Sequence, residues 1–146
     1  AHAQLDRALE LGVNFIDTAE VYPVPIKPDT HARTERYIGT WLEARKNRER
    51  VVLATKVAGP SARITWLRGA GHRLDRKNVV EALEASLKRL KTDYVDLYQL
   101  HWPERTVNIF GQREYHHNLH EMPFDLAETL EAMDGLVRSG KVRHVG

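Results

Sequence analysis

The spacing of apolar residues switches repeatedly along this chain between a helical period and a strand period, and that switching restricts the fold more than any other feature. Residues 3–11 carry Leu5, Ala8, Leu9 and Leu11 at helical spacing, and Gly12 follows as a stop. The run Val13-Asn14-Phe15-Ile16 then reads as a short buried strand, 13–17, ending in Asp17. A second helix, from about Thr30 to Arg45, places Tyr37, Ile38, Trp41 and Leu42 on one stripe. The strand 51–57 is β-branched and nearly all apolar, as expected for a strand buried on both faces of a parallel sheet. Asp75 is a good N-cap for a helix bearing Val80, Leu83, Leu87 and Leu90, which leads to a third strand, 94–101. Asp125, with Glu128 in the capping-box position, opens a fourth helix. That helix is expected to bury Leu126, Leu130, Met133 and Val137 and to stop at Gly140, before residues 142–146 begin a fourth strand. The order α-β-α-β-α-β-α-β requires βαβ crossovers and a parallel sheet.

Parallel α/β chains have two common forms. No Gly-x-Gly-x-x-Gly follows the first strand, so a dinucleotide-binding doubly wound sheet lacks its main support. A (β/α) barrel remains, and such barrels work at the C-terminal ends of their strands. The 146 residues suffice for one domain. No apolar run is long enough to span a membrane. The 22 basic and 20 acidic residues are interspersed and leave a formal charge of only +2, which argues against a nucleic-acid partner. With no cysteine, disulfides and thiolate chemistry are excluded, and a reducing, cytoplasmic setting is expected.

Three successive strands end in ionisable residues, Asp17, Lys56 and His101, and a phenol, Tyr22, lies on the loop beyond the first. Each has an ordinary structural reading. Asp17 can be a hydrogen-bonded strand-end acid, Tyr22 a loop aromatic before Pro23, and His101 a satisfied structural histidine. Lys56 is odder, because a lysine inside an apolar strand needs a partner. Taken together at successive strand ends they read as a functional group. An ammonium stabilises a neighbouring phenolate, a carboxylate keeps the ammonium charged and in place, and an imidazole can hydrogen-bond a substrate oxygen. Such a set can protonate a carbonyl oxygen as it becomes an alkoxide. It contains no hydride, so the second reactant must come from a cofactor.

The segment 103–124 is longer than an ordinary connection, and loops of that length are usually functional or disordered. It holds His116, His117 and His120, which read as solvated loop histidines; metal binding is the lesser alternative, because no carboxylate or cysteine pattern supports it. Trp102, before Pro103, either walls a pocket or closes the strand, whereas Trp41 and Tyr37 read as core.

The blocks Asn14-Phe15-Ile16-Asp17-Thr18-Ala19-Glu20-Val21-Tyr22, Ala54-Thr55-Lys56 and Asp96-Leu97-Tyr98-Gln99-Leu100-His101-Trp102-Pro103 resemble the signatures of the aldo-keto reductases. The loop Tyr22-Pro23-Val24-Pro25 and the long segment after Pro103 are similar to the bacterial Tas-type branch of that family. The resemblance implies a parallel (β/α)8 TIM barrel and NADPH-dependent reduction of aldehydes or ketones. In the family's pattern Tyr22 is the general acid and Lys56 makes its proton easier to give up. Asp17 pairs with Lys56 and counts among the cofactor-binding residues, His101 orients the carbonyl, and Trp102 lines the substrate pocket.

A complete barrel needs eight strands and about 250 residues. Residues 1–146 correspond to the family's strands two to five, an incomplete single-domain segment of four strands and four helices. The tetrad is present, while most of the cofactor site belongs to family sequence outside these residues. An open segment exposes two sheet edges and the face meant for the barrel interior, so further chain or self-association with a second copy is expected to cover them. The partner otherwise expected is a small carbonyl compound. Two alternatives use the same scaffold: a non-catalytic barrel that serves as a regulatory interaction subunit, and a metal-dependent hydrolase built on Asp17, His101 and the loop histidines. Lys56 would repel a cation at the centre of the latter.

Overall fold

A computed structural model describes residues 1–69, 73–105, 113–115 and 125–146. The elements run α1 (His2–Glu10), β1 (Phe15–Asp17), α2 (Arg33–Arg45), β2 (Val52–Val57), α3 (Arg76–Leu90), β3 (Val95–Leu100), α4 (Leu126–Arg138) and β4 (Val142–Val145), with one 3-10 turn at Arg48–Arg50. The strands form one parallel sheet in the order β1-β2-β3-β4. Each neighbour in the sheet is therefore the next strand in the chain, as a winding barrel wall requires.

The local signals act as expected. The Asp75 side chain accepts from the Asn78 N–H at 2.8 Å, and Asp125 accepts from the Glu128 N–H at 3.1 Å. Each removes one of the unpaired donors at a helix start. Gly12 (φ 84°) and Gly140 (φ 76°) follow α1 and α4 in the left-handed conformation that ends a helix.

The main core lies between the helices and the outer face of the sheet. It joins Ile38, Trp41 and Leu42 of α2, Leu53 and Val57 of β2, Leu83, Leu87 and Leu90 of α3, Val95 and Tyr98 of β3, and Met133 and Leu136 of α4. Trp41 is fully buried, and its indole N–H reaches Asp6 of α1 at 2.7 Å. Gly39 sets how closely α2 and α3 approach. A Cβ there would lie 2.0 Å from the Arg89 carbonyl oxygen. A charge is buried in the same contact: Glu35, fully buried, accepts from the Thr55 hydroxyl and from Arg89 Nε, both at 2.6 Å.

Four expectations change. β1 is only three residues long, and Val13 and Phe15 are more than half exposed instead of buried. β1 lies at one end of the sheet order, with no further strand beside it among the described residues. Tyr37 is exposed and not core. On α4 the buried positions are Thr129, Ala132, Met133 and Leu136, while Leu126 and Leu130 stay about half exposed. Glu128 and Glu131 meet Arg76 at the start of α3, and Leu126 and Leu130 lie roughly half a turn around the helix from them.

Candidate active site

Strand alternation carries three of the four ionisable groups to one face. Ile16, Leu53, Val57 and Tyr98 point to the helices and enter the core. Asp17 pairs in register with Ala54, two residues before Lys56, and Lys56 pairs with Gln99, two residues before His101. A period of two therefore puts Asp17, Lys56 and His101 on the opposite, inward face at the C-terminal ends of β1, β2 and β3. The His101 N–H continues the ladder to the Val57 carbonyl at 2.9 Å.

The lysine is the hub. Lys56 Nζ donates to Asp17 Oδ2 at 2.6 Å and to the Thr18 carbonyl at 2.9 Å. Its side chain is only 12% exposed, against 49% for Asp17. An ammonium so nearly buried needs both acceptors to remain charged. The same Nζ lies 5.5 Å from the centroid of the Tyr22 ring. Tyr22 meets His101 edge-on, with ring centroids 5.5 Å apart and planes at 77°. The structure thus brings together all four residues singled out from the sequence.

His101 is half-buried, and its Nδ1 is a buried atom with no hydrogen-bond partner among the described residues. Burial, then the positive charge of Lys56, push the imidazole down from its ordinary 6.5 to about 4, with Asp17 opposing. At neutral pH the ring is therefore uncharged.

Trp102 turns away from solvent. It is 7% exposed, its indole N–H donates to the Pro60 carbonyl at 3.0 Å, and its ring lies 4.9 Å from that of His101. It belongs to a second apolar cluster at the rim of the sheet with Ala19, Val21, Ala58, Ile64 and Leu67, against which Tyr22 packs. Gly59 makes room for it, since a Cβ there would lie 2.6 Å from the Trp102 carbonyl oxygen.

Sequence reasoning missed a buried ion pair beneath this rim. Glu20, 3% exposed, pairs with Arg68 and accepts from the Ala58 N–H at 2.7 Å. An acid between Ala19 and Val21 was the available signal for one partner; no pattern in the sequence points to Arg68. A cleft of about 600 Å³ between the starts of α3 and α4, lined by Arg73, Arg76, Glu104 and Glu128 among others, touches none of the four site residues. No group of three or more histidines and carboxylates suited to a metal occurs among the described residues. The reading of His116, His117 and His120 lies outside them, as does most of the segment 103–124.

The family model for the aldo/keto reductase family matches residues 1–146. The chain belongs to the aldo/keto reductase family. Among curated relatives, Protein tas of Escherichia coli (strain K12) is 48% identical over 146 residues, covering 100% of this chain and 42% of its own length. An aldo-keto reductase of Babesia bovis is 40% identical over 104 residues, 66% of this chain and 36% of that protein. A crystal structure of a thermostable aldo-keto reductase with the inhibitor epalrestat matches with a TM-score of 0.68 and 34% identity, covering 99% of this chain and 39% of that one. An aldo-keto reductase from Klebsiella pneumoniae in complex with NADPH matches with a TM-score of 0.66 and 33% identity, covering 99% and 37%. The chain therefore spans about two fifths of the length of the aldo/keto reductase relatives it matches, and its four parallel strands are an incomplete segment of the TIM barrel of that family.

Proposed function

We propose that the protein carrying this chain is an NADPH-dependent reductase of aldehyde or ketone carbonyls, with Tyr22 as the proton donor. The observation that carries this reading is the placement of the Lys56 ammonium, bonded to Asp17 and lying 5.5 Å from the Tyr22 ring, with His101 at the edge of the same ring. Family membership and the NADPH complex of the Klebsiella pneumoniae relative support the choice of cofactor.

The residues fit a carbonyl oxygen and a nicotinamide better than any other pair of reactants. The four side chains offer a proton, a fixed positive charge and a neutral imidazole, but no hydride and no activated nucleophile. The Nδ1 of His101, buried and without a partner among the described residues, is a polar atom that a ligand could satisfy. Asp17, half exposed on the inward face, is the residue of this chain that would border the cofactor. Bound NADPH supplies the hydride.

The part played by the chain itself is proton delivery and charge stabilisation. Tyr22 gives its phenolic proton to the oxygen that gains charge as the carbonyl is reduced. Lys56 stabilises the phenolate left behind, and Asp17 and the Thr18 carbonyl hold that ammonium in one position. His101, being neutral, aligns the substrate oxygen by a hydrogen bond and adds no second positive charge. Trp102 backs the imidazole.

The test uses the full-length protein. Tyr22→Phe should lower turnover of a simple aromatic aldehyde by about 100-fold or more, while NADPH affinity, read by fluorescence titration, stays within about twofold of wild type. Turnover at a comparable rate would refute Tyr22 as the acid. A wild-type protein that neither binds NADPH nor turns over a carbonyl would refute the activity itself and leave the scaffold reading.

A further inference from the structure

The segment from Asp17 to Tyr22 leaves the sheet, yet it keeps step with β2. The Thr18 N–H donates to the Ala54 carbonyl at 2.9 Å and the Glu20 N–H to the Lys56 carbonyl at 3.2 Å. The chain then turns back, with the Tyr22 N–H donating to the Ala19 carbonyl at 3.1 Å. The next donor, the Ala58 N–H just past the end of β2, comes where the segment carrying Tyr22 has already turned back. The Glu20 carboxylate takes that place and accepts from it at 2.7 Å.

The second carboxylate oxygen is held by Arg68. The same guanidinium reaches the Ala58 carbonyl at 3.4 Å and the Asn78 side chain at 3.1 Å. Asn78 lies in the first turn of α3 and is itself tied to Asp75. Arg68 reaches this position from a left-handed backbone, φ 47°, which residues with side chains rarely adopt and which persists only where the surroundings enforce it. Both side chains are nearly buried, 3% for Glu20 and 11% for Arg68. A charge pair this dry demands that each partner be fully satisfied, so its geometry is narrowly defined.

We propose that Glu20 and Arg68 are positioning residues: together they clamp the turn that carries Tyr22 to the exit of β2, and so set the separation between the phenol and Lys56. The inference rests on the reading of Tyr22 as the proton donor. Neither residue touches a reacting atom. Glu20 sits two residues from Tyr22 and bonds two residues beyond Lys56, so a shift of its carboxylate moves the phenol relative to the ammonium. A misplacement of about 1 Å in such a site costs up to about 100-fold in rate.

The experiment compares Glu20→Gln and Arg68→Lys with wild type and with Tyr22→Phe in the full-length protein. Gln keeps an acceptor for the Ala58 N–H and removes the charge from the pair. Lys keeps the charge and loses the fork that reaches Asn78 and Ala58. For Glu20→Gln, kcat per folded molecule should fall about tenfold or more with NADPH affinity unchanged within about twofold. KM for the aldehyde should stay within about twofold of wild type, as for a proton donor displaced while substrate binding is kept. Arg68→Lys should lower kcat per folded molecule in the same way by less, and it carries the test if Glu20→Gln does not fold. A role in stability alone would lower the folded fraction and leave kcat per folded molecule at its wild-type value, and that result overturns the proposal. If Tyr22→Phe is inactive while both clamp variants behave as wild type, only the clamp is refuted. If Tyr22→Phe remains active, the assignment of the acid fails, and the clamp with it.

Discussion

His101 links the electrostatics of the site to the stability of the fold. Burial and the nearby Lys56 ammonium hold its ring at about 4, against an ordinary value of 6.5. In the unfolded chain the ring takes up a proton below about 6.5, whereas in the folded chain it resists until about 4. Between those values the unfolded state binds more protons, so stability rises with pH across that window. The contribution is fully present above 6.5 and is lost as pH falls toward 4. At about 1.4 kcal/mol per pH unit, a gap of roughly 2.5 units amounts to about 3 kcal/mol for a dry group. Solvent around a half-buried ring screens this to about 1–2 kcal/mol. The assay is urea denaturation at several pH values between 4 and 7, with wild type and His101→Phe compared in parallel. The other seven of the 8 histidines in this chain are common to both proteins and drop out of the difference. The difference in unfolding free energy should change by about 1–2 kcal/mol across the window. A difference flat to within about 0.3 kcal/mol, or a proton NMR titration of His101 centred near the ordinary histidine value, would refute the reasoning. It would also remove the ground for treating His101 as a neutral hydrogen-bonding group and leave it a candidate acid in competition with Tyr22.

Gly39→Ala places a methyl 2.0 Å from the Arg89 carbonyl oxygen, a backbone atom that cannot rotate away. Helices α2 and α3 must separate, and a loss of about 3 kcal/mol or more is expected in denaturant titrations; an unchanged midpoint would show that the helices are not so closely packed. Gly59→Ala directs its methyl into the Trp102 carbonyl and indole, at 2.6 and 2.7 Å. It should cost about 1–3 kcal/mol and, because the His101 ring rests against Trp102, lower aldehyde turnover by about tenfold or more in the full-length protein. Wild-type turnover in that variant would mean that His101 does not depend on Trp102 for its position.

Element type and order were legible because they depend on local chemistry. Asp75 and Asp125 cap their helices with the bonds their spacing predicts, and Gly140 ends α4 in the left-handed region. Burial was less legible. Leu126 and Leu130 look like core residues on a helical wheel, but a wheel does not say which way α4 faces α3. The burial of Ala132, Met133 and Leu136 in the core shared with α3 decides that. Tyr37 was misread for a related reason. Its neighbours Ile38, Trp41 and Leu42 fill the contact with α3 and the sheet, and the ring at position 37 falls outside it. Phe15 has the composition of a buried strand residue, but its exposure depends on strands that would have to pair across the open face.

The candidate site divides in the same way. The sequence by itself determined which groups stand at strand ends: a carboxylate closing β1, an ammonium near the end of β2, an imidazole just past β3, and a phenol five residues beyond the carboxylate. Period-two alternation and consecutive strand order are local rules, so the shared face of Asp17, Lys56 and His101 followed from them. Only the tertiary structure decided how the phenol reaches the lysine, and that it does so above a buried Glu20–Arg68 pair 48 residues apart in the chain. The physical reason is that a buried charge takes whichever partner the fold brings near, and that choice depends on the path of every intervening loop.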